Sequence, residues 1–215
     1  MVARGLGHAV KALLAPPLCG ACGRPCAARE PICARCVVAL AATRGGTFEL
    51  AGVGAVSWAA EYRGAARQLV TGLKFGHRVQ LAAIIAGATA ASLGPAPVTD
   101  VVAVPAAPAR RRRRGFDPAE LIAAELSRAL GVRRATPLRR ADGPRQVGRR
   151  RAERLAAPPL IWPVGESPRR VLLVDDVLTT GATLVACAAA LRRAGAVEIR
   201  AGVFARTLGA GAAEA

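Results

Sequence analysis

The chain has 215 residues, 53% of them apolar and 3% aromatic, and a formal net charge of +17 at pH 7. That length holds one α/β domain plus a small module, with a core built from Val, Leu, Ile and Ala, and no stretch reads as membrane-spanning, since Leu81–Leu93 is too short and too alanine-rich. All of the 31 basic residues except Lys11 and Lys74 are arginine; a GC-rich genome would give such a bias, and the excess beyond it suits a partner that carries phosphate.

At the N-terminus, Leu6, Val10, Leu13 and Leu14 share one face of a short amphipathic helix, while His8 and Lys11 interrupt the apolar run that a signal peptide needs. A cytoplasmic, reducing location is therefore expected, which favours metal binding over disulfides. Two C-x-x-C pairs follow, Cys19/Cys22 and Cys33/Cys36. Each pair can offer two thiolates to one tetrahedral ion, so structural zinc is the expectation, with redox cysteines as the alternative. Cys26 is left over, either as a substitute ligand or as a free thiol. A segment this small cannot bury its own core, and a metal supplies the missing stability. The expected organisation is a module over residues 1–45 and an α/β domain over 46–215.

A turn near Arg44–Thr47 precedes a strand over Val53–Trp58. Glu61–Phe75 reads as a helix with Ala65, Ala66, Leu69, Val70 and Leu73 inward. Two readings fit Lys74 at its end: a favourable charge on the helix dipole, or a lysine that faces phosphate in the active site. After a second helix comes a buried strand, Val101–Val104, ending at Pro105 and Ala106. The run Arg110–Arg114 with Gly115 and Phe116 reads as a basic loop. Asp117, Pro118 and Glu120 then supply an N-cap, a helix-opening proline and a capping-box acid for a helix that runs to Leu130. Residues 110–154 hold 15 arginines against five acids, and Thr136–Pro159 lacks periodicity, as lids and binding loops do.

Val171–Thr183, VLLVDDVLTTGAT, carries the strongest functional signal. Val171–Val174 reads as a buried parallel strand, followed by the adjacent acids Asp175 and Asp176. The small-residue loop Thr179, Thr180, Gly181, Ala182 and Thr183 opens a helix whose Leu184, Cys187, Ala188 and Leu191 form one apolar face. A helix N-terminus offers unpaired N–H groups and a positive dipole end to a phosphate. The threonine hydroxyls add donors, and the carboxylates can accept from ribose hydroxyls or hold hydrated magnesium. A last strand is expected over Val197–Val203. The order of elements predicts a mainly parallel sheet with its site at the carboxyl ends of the strands.

This segment resembles the motif by which type I phosphoribosyltransferases bind phosphoribosyl pyrophosphate (PRPP): an apolar strand, two acids, an apolar residue, any residue, then T-T-G-x-T. Four features in one order are similar to the ComF family of competence-associated, phosphoribosyltransferase-like proteins: the paired C-x-x-C motifs, Leu73-Lys74-Phe75-Gly76, Val104-Pro105 with Arg112-Arg113-Arg114-Gly115-Phe116, and the acidic T-T-G-A-T motif. The resemblance implies a phosphoribosyltransferase-like α/β domain behind a zinc knuckle. Asp175 and Asp176 would act on the ribose and the Thr179–Thr183 loop would hold the 5-phosphate. Pyrophosphate with magnesium, or nucleic acid, would lie on Pro105, Ala106, Lys74, Arg113, Arg114 and Gly115. It also implies a setting in DNA uptake, with single-stranded DNA and a competence helicase as partners. A non-catalytic DNA-binding protein that keeps the fold is the alternative; a PRPP-sensing regulator would want a DNA-reading module, and the sequence has no helix-turn-helix pattern. The chain departs from the family where Asp117-Pro118 replaces Asn-Gln, and no asparagine follows the Gln146…Arg154 pair in Leu155–Pro159.

Overall fold

A computed structural model describes residues 17–27, 30–95, 98–142 and 159–207. The expected N-terminal helix and the pair Gln146 and Arg154 lie outside them.

Helix α1 (Ala34–Ala41) leads into the hairpin of β1 (Gly46–Leu50) and β2 (Gly54–Glu61). Helices α2 (Gly64–Phe75) and α3 (Leu81–Ser92) precede β3 (Asp100–Ala103), and α4 (Pro108–Arg114) and α5 (Pro118–Leu130) precede β4 (Arg133–Ala135). A two-stranded sheet pairs β5 (Leu138–Arg140) with β6 (Ile161–Pro163). Strand β7 (Arg170–Leu178), helix α6 (Ala182–Arg193) and strand β8 (Glu198–Arg206) complete the described fold.

The main sheet has the order β1-β2-β8-β7-β3-β4, parallel except for the β1–β2 hairpin. Alternation along the strands builds its two faces. Val101, Ala103, Leu172 and Val174 pack on the side of α2, α3 and α5, while Val102, Val104, Val171 and Leu173 pack with Leu184, Cys187 and Leu191 of α6. From β3 the chain crosses through α5 to β4 on one flank; from β7 it crosses through α6 to β8 on the other. The connections diverge between β3 and β7, and that divergence opens a crevice at the carboxyl ends of the two strands. The knuckle joins the same core: Cys19, Ile32 and Cys36 are buried with Leu69, Leu73 and Leu81.

Several elements differ from the sequence expectation. The run expected as a basic loop is helix α4. Pro108 opens it, arginine is a strong helix former, and the Asp142 carboxylate accepts from the Ala109 N–H in its first turn. The strand expected to stop at Val174 continues to Leu178, because Asp175 and Val177 keep pairing with Val203 and Ala205 of β8. The expected turn at Arg44–Thr47 overlaps the start of β1, where half-buried Gly46, Phe48 and Leu50 alternate with exposed Thr47 and Glu49. The Glu120 carboxylate pairs with Arg134 at 3.3 Å, toward β4.

Candidate functional site

The crevice is a cavity of about 360 Å³ lined by groups from several helices and strands and the segments between them. Strand β7 brings Asp175, Asp176 and Val177; the turn after it brings Thr179, and the first turn of α6 brings Thr183. The end of β3 brings Val104 and, in the segment behind it, Pro105, Ala106 and Ala107. Arg110 and Arg114 come from α4, Lys74 from the end of α2 and Arg140 from β5.

Lys74, at the end of α2, reaches across to an acid of β7. Its Nζ donates to Asp176 Oδ1 at 2.7 Å across 102 positions of sequence. The lysine is 23% exposed and its partner 8%, so a screened surface pair this is not. Next to it, Asp175 is half-buried, and its Oδ1 accepts from the Asp176 N–H at 2.8 Å. Burial, reinforced by the charge of Asp176, pushes the Asp175 carboxyl up from 3.8 to about 8. The two adjacent acids therefore stand in different settings: Asp176 is paired with Lys74, while the Asp175 carboxyl is raised by burial and by its neighbour's charge.

Asp117 fixes the backbone opposite. Its Oδ1 accepts from the Ala119 N–H at 3.1 Å, as the N-cap of α5, and its Oδ2 accepts from the Ala106 N–H at 2.7 Å. Burial raises this carboxyl, and the Ala106 and Ala119 N–H groups oppose the rise. The double acceptance needs an acid: one asparagine oxygen cannot replace two carboxylate oxygens, and its NH₂ would face an N–H. Asp117→Asn should therefore destabilise the protein by about 1–2 kcal/mol, read from its chemical denaturation midpoint.

The loop Thr179–Thr183 is placed by Gly181, whose φ of 79° strains any other residue and whose Cβ position lies 2.9 Å from Leu50 Cδ2. Thr180 Oγ1 accepts from the Ala182 N–H at 3.5 Å. Of the residues expected to meet pyrophosphate, Lys74, Pro105, Ala106 and Arg114 line the cavity; Arg113 and Gly115 are exposed beside it. The helical twist of α4 makes that division, turning Arg110 and Arg114 (four apart) to one side. Sequence reasoning missed Arg140, Tyr62 and Thr207. Arg140 Nη1 donates to the Pro105 carbonyl at 3.4 Å, and burial, with Arg110 nearby, lowers its pKa. Its two-arginine strand, Leu138–Arg140, has no apolar signature to mark it.

The four Sγ atoms of Cys19, Cys22, Cys33 and Cys36 lie within 4.8 Å of one another, with Cys22 and Cys33 3.7 Å apart. Thiolates about 2.3 Å from a tetrahedral ion stand about 3.8 Å apart, so the donor set fits a metal such as zinc. Burial opposes a Cys19 thiolate, yet the N–H groups of Cys22, Cys33 and Ala21 aimed at its Sγ hold it at about 6. The Cys22 and Cys33 N–H groups reach that sulfur at 3.5 and 3.3 Å. Cys26 stands apart, its Sγ donating to the Glu30 carbonyl at 3.4 Å.

Magnesium takes oxygen ligands, and Asp175 and Asp176 are the donor type it prefers. Asp176 is already engaged by Lys74, so an ion arriving with a diphosphate would be held chiefly by that ligand's own oxygens.

Among solved structures, the chain is similar to adenine phosphoribosyltransferase from Leishmania donovani, at 15% identity over 72% of each chain with a TM-score of 0.40. It is similar to orotate phosphoribosyltransferase from Aeropyrum pernix at 17% identity, covering 80% of this chain and 92% of that one, with a TM-score of 0.37. No curated protein matches it. Residues 113–213, which carry α5, the acidic pair and the Thr179–Thr183 loop, match the phosphoribosyl transferase domain family, and the mostly parallel sheet around them is of the phosphoribosyltransferase type.

Proposed function

We propose that the protein binds PRPP with magnesium and transfers its phosphoribosyl group to an acceptor nucleophile. The observation that carries this reading is the convergence on one cavity of Thr179 and Thr183 from the loop into α6, the Asp175–Asp176 pair with Lys74, and the Pro105–Ala107 backbone. The 5-phosphate lies at the N-terminus of α6 on Thr179 and Thr183. Asp175 and Asp176 accept from the 2- and 3-hydroxyls and stabilise positive charge that develops on the ring as the bond from the anomeric carbon to pyrophosphate breaks and the bond to the acceptor forms. Magnesium supplies charge neutralisation of the leaving pyrophosphate. Lys74, Arg110, Arg114 and the backbone behind Pro105 orient that group, and positioning plus leaving-group electrostatics does most of the chemistry. Zinc on the four cysteines is structural, since four thiolates leave no open position, and residues 1–45 form its module.

Titration calorimetry of PRPP with magnesium tests this. Wild type should bind, and Asp176→Ala should bind at least about tenfold more weakly, a loss of about 1.4 kcal/mol. Equal affinity in the two proteins would overturn it.

One observation favours a second reading, a single-stranded-DNA-binding protein that keeps the fold. Arg110, Arg111, Arg112 and Arg113 are exposed along α4 at the rim of the cavity. Replacing Arg111, Arg112 and Arg113 with alanine should then cut single-strand affinity about tenfold at moderate salt and reduce the salt slope by about 0.7 for each phosphate no longer neutralised. PRPP affinity should stay within about twofold, because those three side chains do not line the cavity. An unchanged salt slope would remove DNA as a partner of α4. A competence setting, a helicase partner and a cytoplasmic location rest on the sequence alone; among the described residues no helix is long and apolar enough to cross a membrane.

A further inference from the structure

We propose that Arg78 is a positioning residue: it clasps the four-cysteine knuckle to the end of α2 and thereby sets Lys74 against Asp176. The inference rests on the reading of the cavity as a phosphosugar site. Arg78 Nη1 donates to the carbonyls of Cys19 and Gly20 at 3.2 and 2.7 Å, the two residues that open the knuckle. Its backbone N–H donates to the Gly72 carbonyl at 3.2 Å, which ties the same residue to the last turn of α2. The knuckle is wedged into that corner without slack. A Cβ on Gly72 would stand 2.7 Å from the Gly20 carbonyl oxygen, and one on Gly20 would stand 2.5 Å from Leu81 Cδ2. The Gly20 N–H is held in turn by the Pro31 carbonyl at 2.8 Å, so the clasp reaches the segment that leads into the second C-x-x-C pair.

Lys74 sits two residues beyond Gly72, in the turn that this corner fixes. A lysine on a four-carbon stem has many rotamers, and holding one of them against a buried carboxylate costs conformational entropy unless its helix end is already rigid. The Gly72–Arg78 corner provides that rigidity, although Arg78 does not line the cavity. Metal on the cysteines, none of which lines the cavity, then acts on the site by keeping the carbonyls of Cys19 and Gly20 where Arg78 can hold them.

The chain offers a direct readout, because Lys11 and Lys74 are its only lysines. In the full-length metal-loaded protein, acylation by a succinimidyl ester followed by mass spectrometry gives the labelling rate of Lys74 relative to Lys11. Arg78→Ala should raise that ratio at least about fivefold while metal stays at one per chain, and Arg78→Lys should restore part of the protection. Arg67→Ala, an exposed arginine on the same helix, should leave the ratio unchanged. PRPP affinity should fall about tenfold in Arg78→Ala, but Arg78→Ala should add little in a Lys74→Ala background. Should Arg78→Ala not fold, Arg78→Gln, which keeps a donor of shorter reach, gives the same reading at smaller amplitude. An unchanged ratio in the Arg78 variant, or an equal rise with Arg67→Ala, overturns the proposal. A raised ratio in a protein whose wild type binds no PRPP leaves the positioning role standing and removes the phosphosugar reading instead.

Discussion

Cys19→Ser or Cys33→Ser should release the metal and leave a protein that aggregates or unfolds locally, the largest effect expected of any single substitution here. Zinc bound by small cysteine modules contributes about 10–16 kcal/mol of apparent folding energy, comparable to or above the whole stability of an ordinary domain. The loss cannot stay confined to the knuckle. Cys19, Ile32 and Cys36 are buried against Leu69, Leu73 and Leu81, so a collapsed module uncovers the ends of α2 and α3. Cys26→Ser provides the contrast: its thiol lies outside the four-sulfur cluster and donates to the Glu30 carbonyl, so that variant should keep its metal and its solubility. Elemental analysis with a thermal melt reads both. A soluble Cys19→Ser protein that melts like its parent, or a wild type purified without stoichiometric metal, would refute the structural role.

What could be seen in the sequence was what is local in it. The C-x-x-C pairs announce themselves because four ligands fall within 18 residues, and the acidic motif because strand, acids and loop are contiguous. The Asp117 N-cap was visible for the same reason, its first acceptor contact lying two residues away. Its second contact, to Ala106, was not, and that bond turns a helix cap into part of the cavity wall. Lys74 could not be assigned, since its partner is 102 positions distant and both readings were satisfied at the end of a helix. The α4 run defeated pattern reading because five arginines show no apolar periodicity, and part of its N-terminal support comes from Asp142 across the fold. Strands β4, β5 and β6 are three residues each, too short for alternation to register. Arg140 went unnoticed among many arginines; only its burial and its bond to the Pro105 carbonyl distinguish it.

Asp175→Asn should stabilise the unliganded protein at neutral pH and at the same time reduce the pH dependence of PRPP binding. The folded carboxyl titrates at about 8 against an ordinary 3.8, raised first by burial and then by Asp176. Between those values the native state holds a proton that the unfolded state has released. Stability therefore falls as pH rises from about 4 to 8 and levels off above, the reverse of a salt-bridged carboxylate. An amide carries no such penalty, so the variant should gain on the order of 2 kcal/mol at pH 8 and little at pH 4, with a flatter stability profile between. Ligand binding runs the other way. On the proposed reading ribose hydroxyls would donate to the ionised form, so wild-type affinity for PRPP should climb from pH 6 to pH 8, with proton release detectable as a buffer-dependent heat. Asparagine accepts through one oxygen without charge; its affinity should be weaker by about 1.5–3 kcal/mol and should lose the part of the pH slope that Asp175 contributes. Opposite pH trends for stability and affinity that diminish together in Asp175→Asn would identify Asp175 as a destabilised group kept for its ligand. A wild-type affinity flat from pH 6 to 8, or an asparagine variant less stable than its parent at pH 8, would show that the carboxylate is already ionised and serves the fold instead.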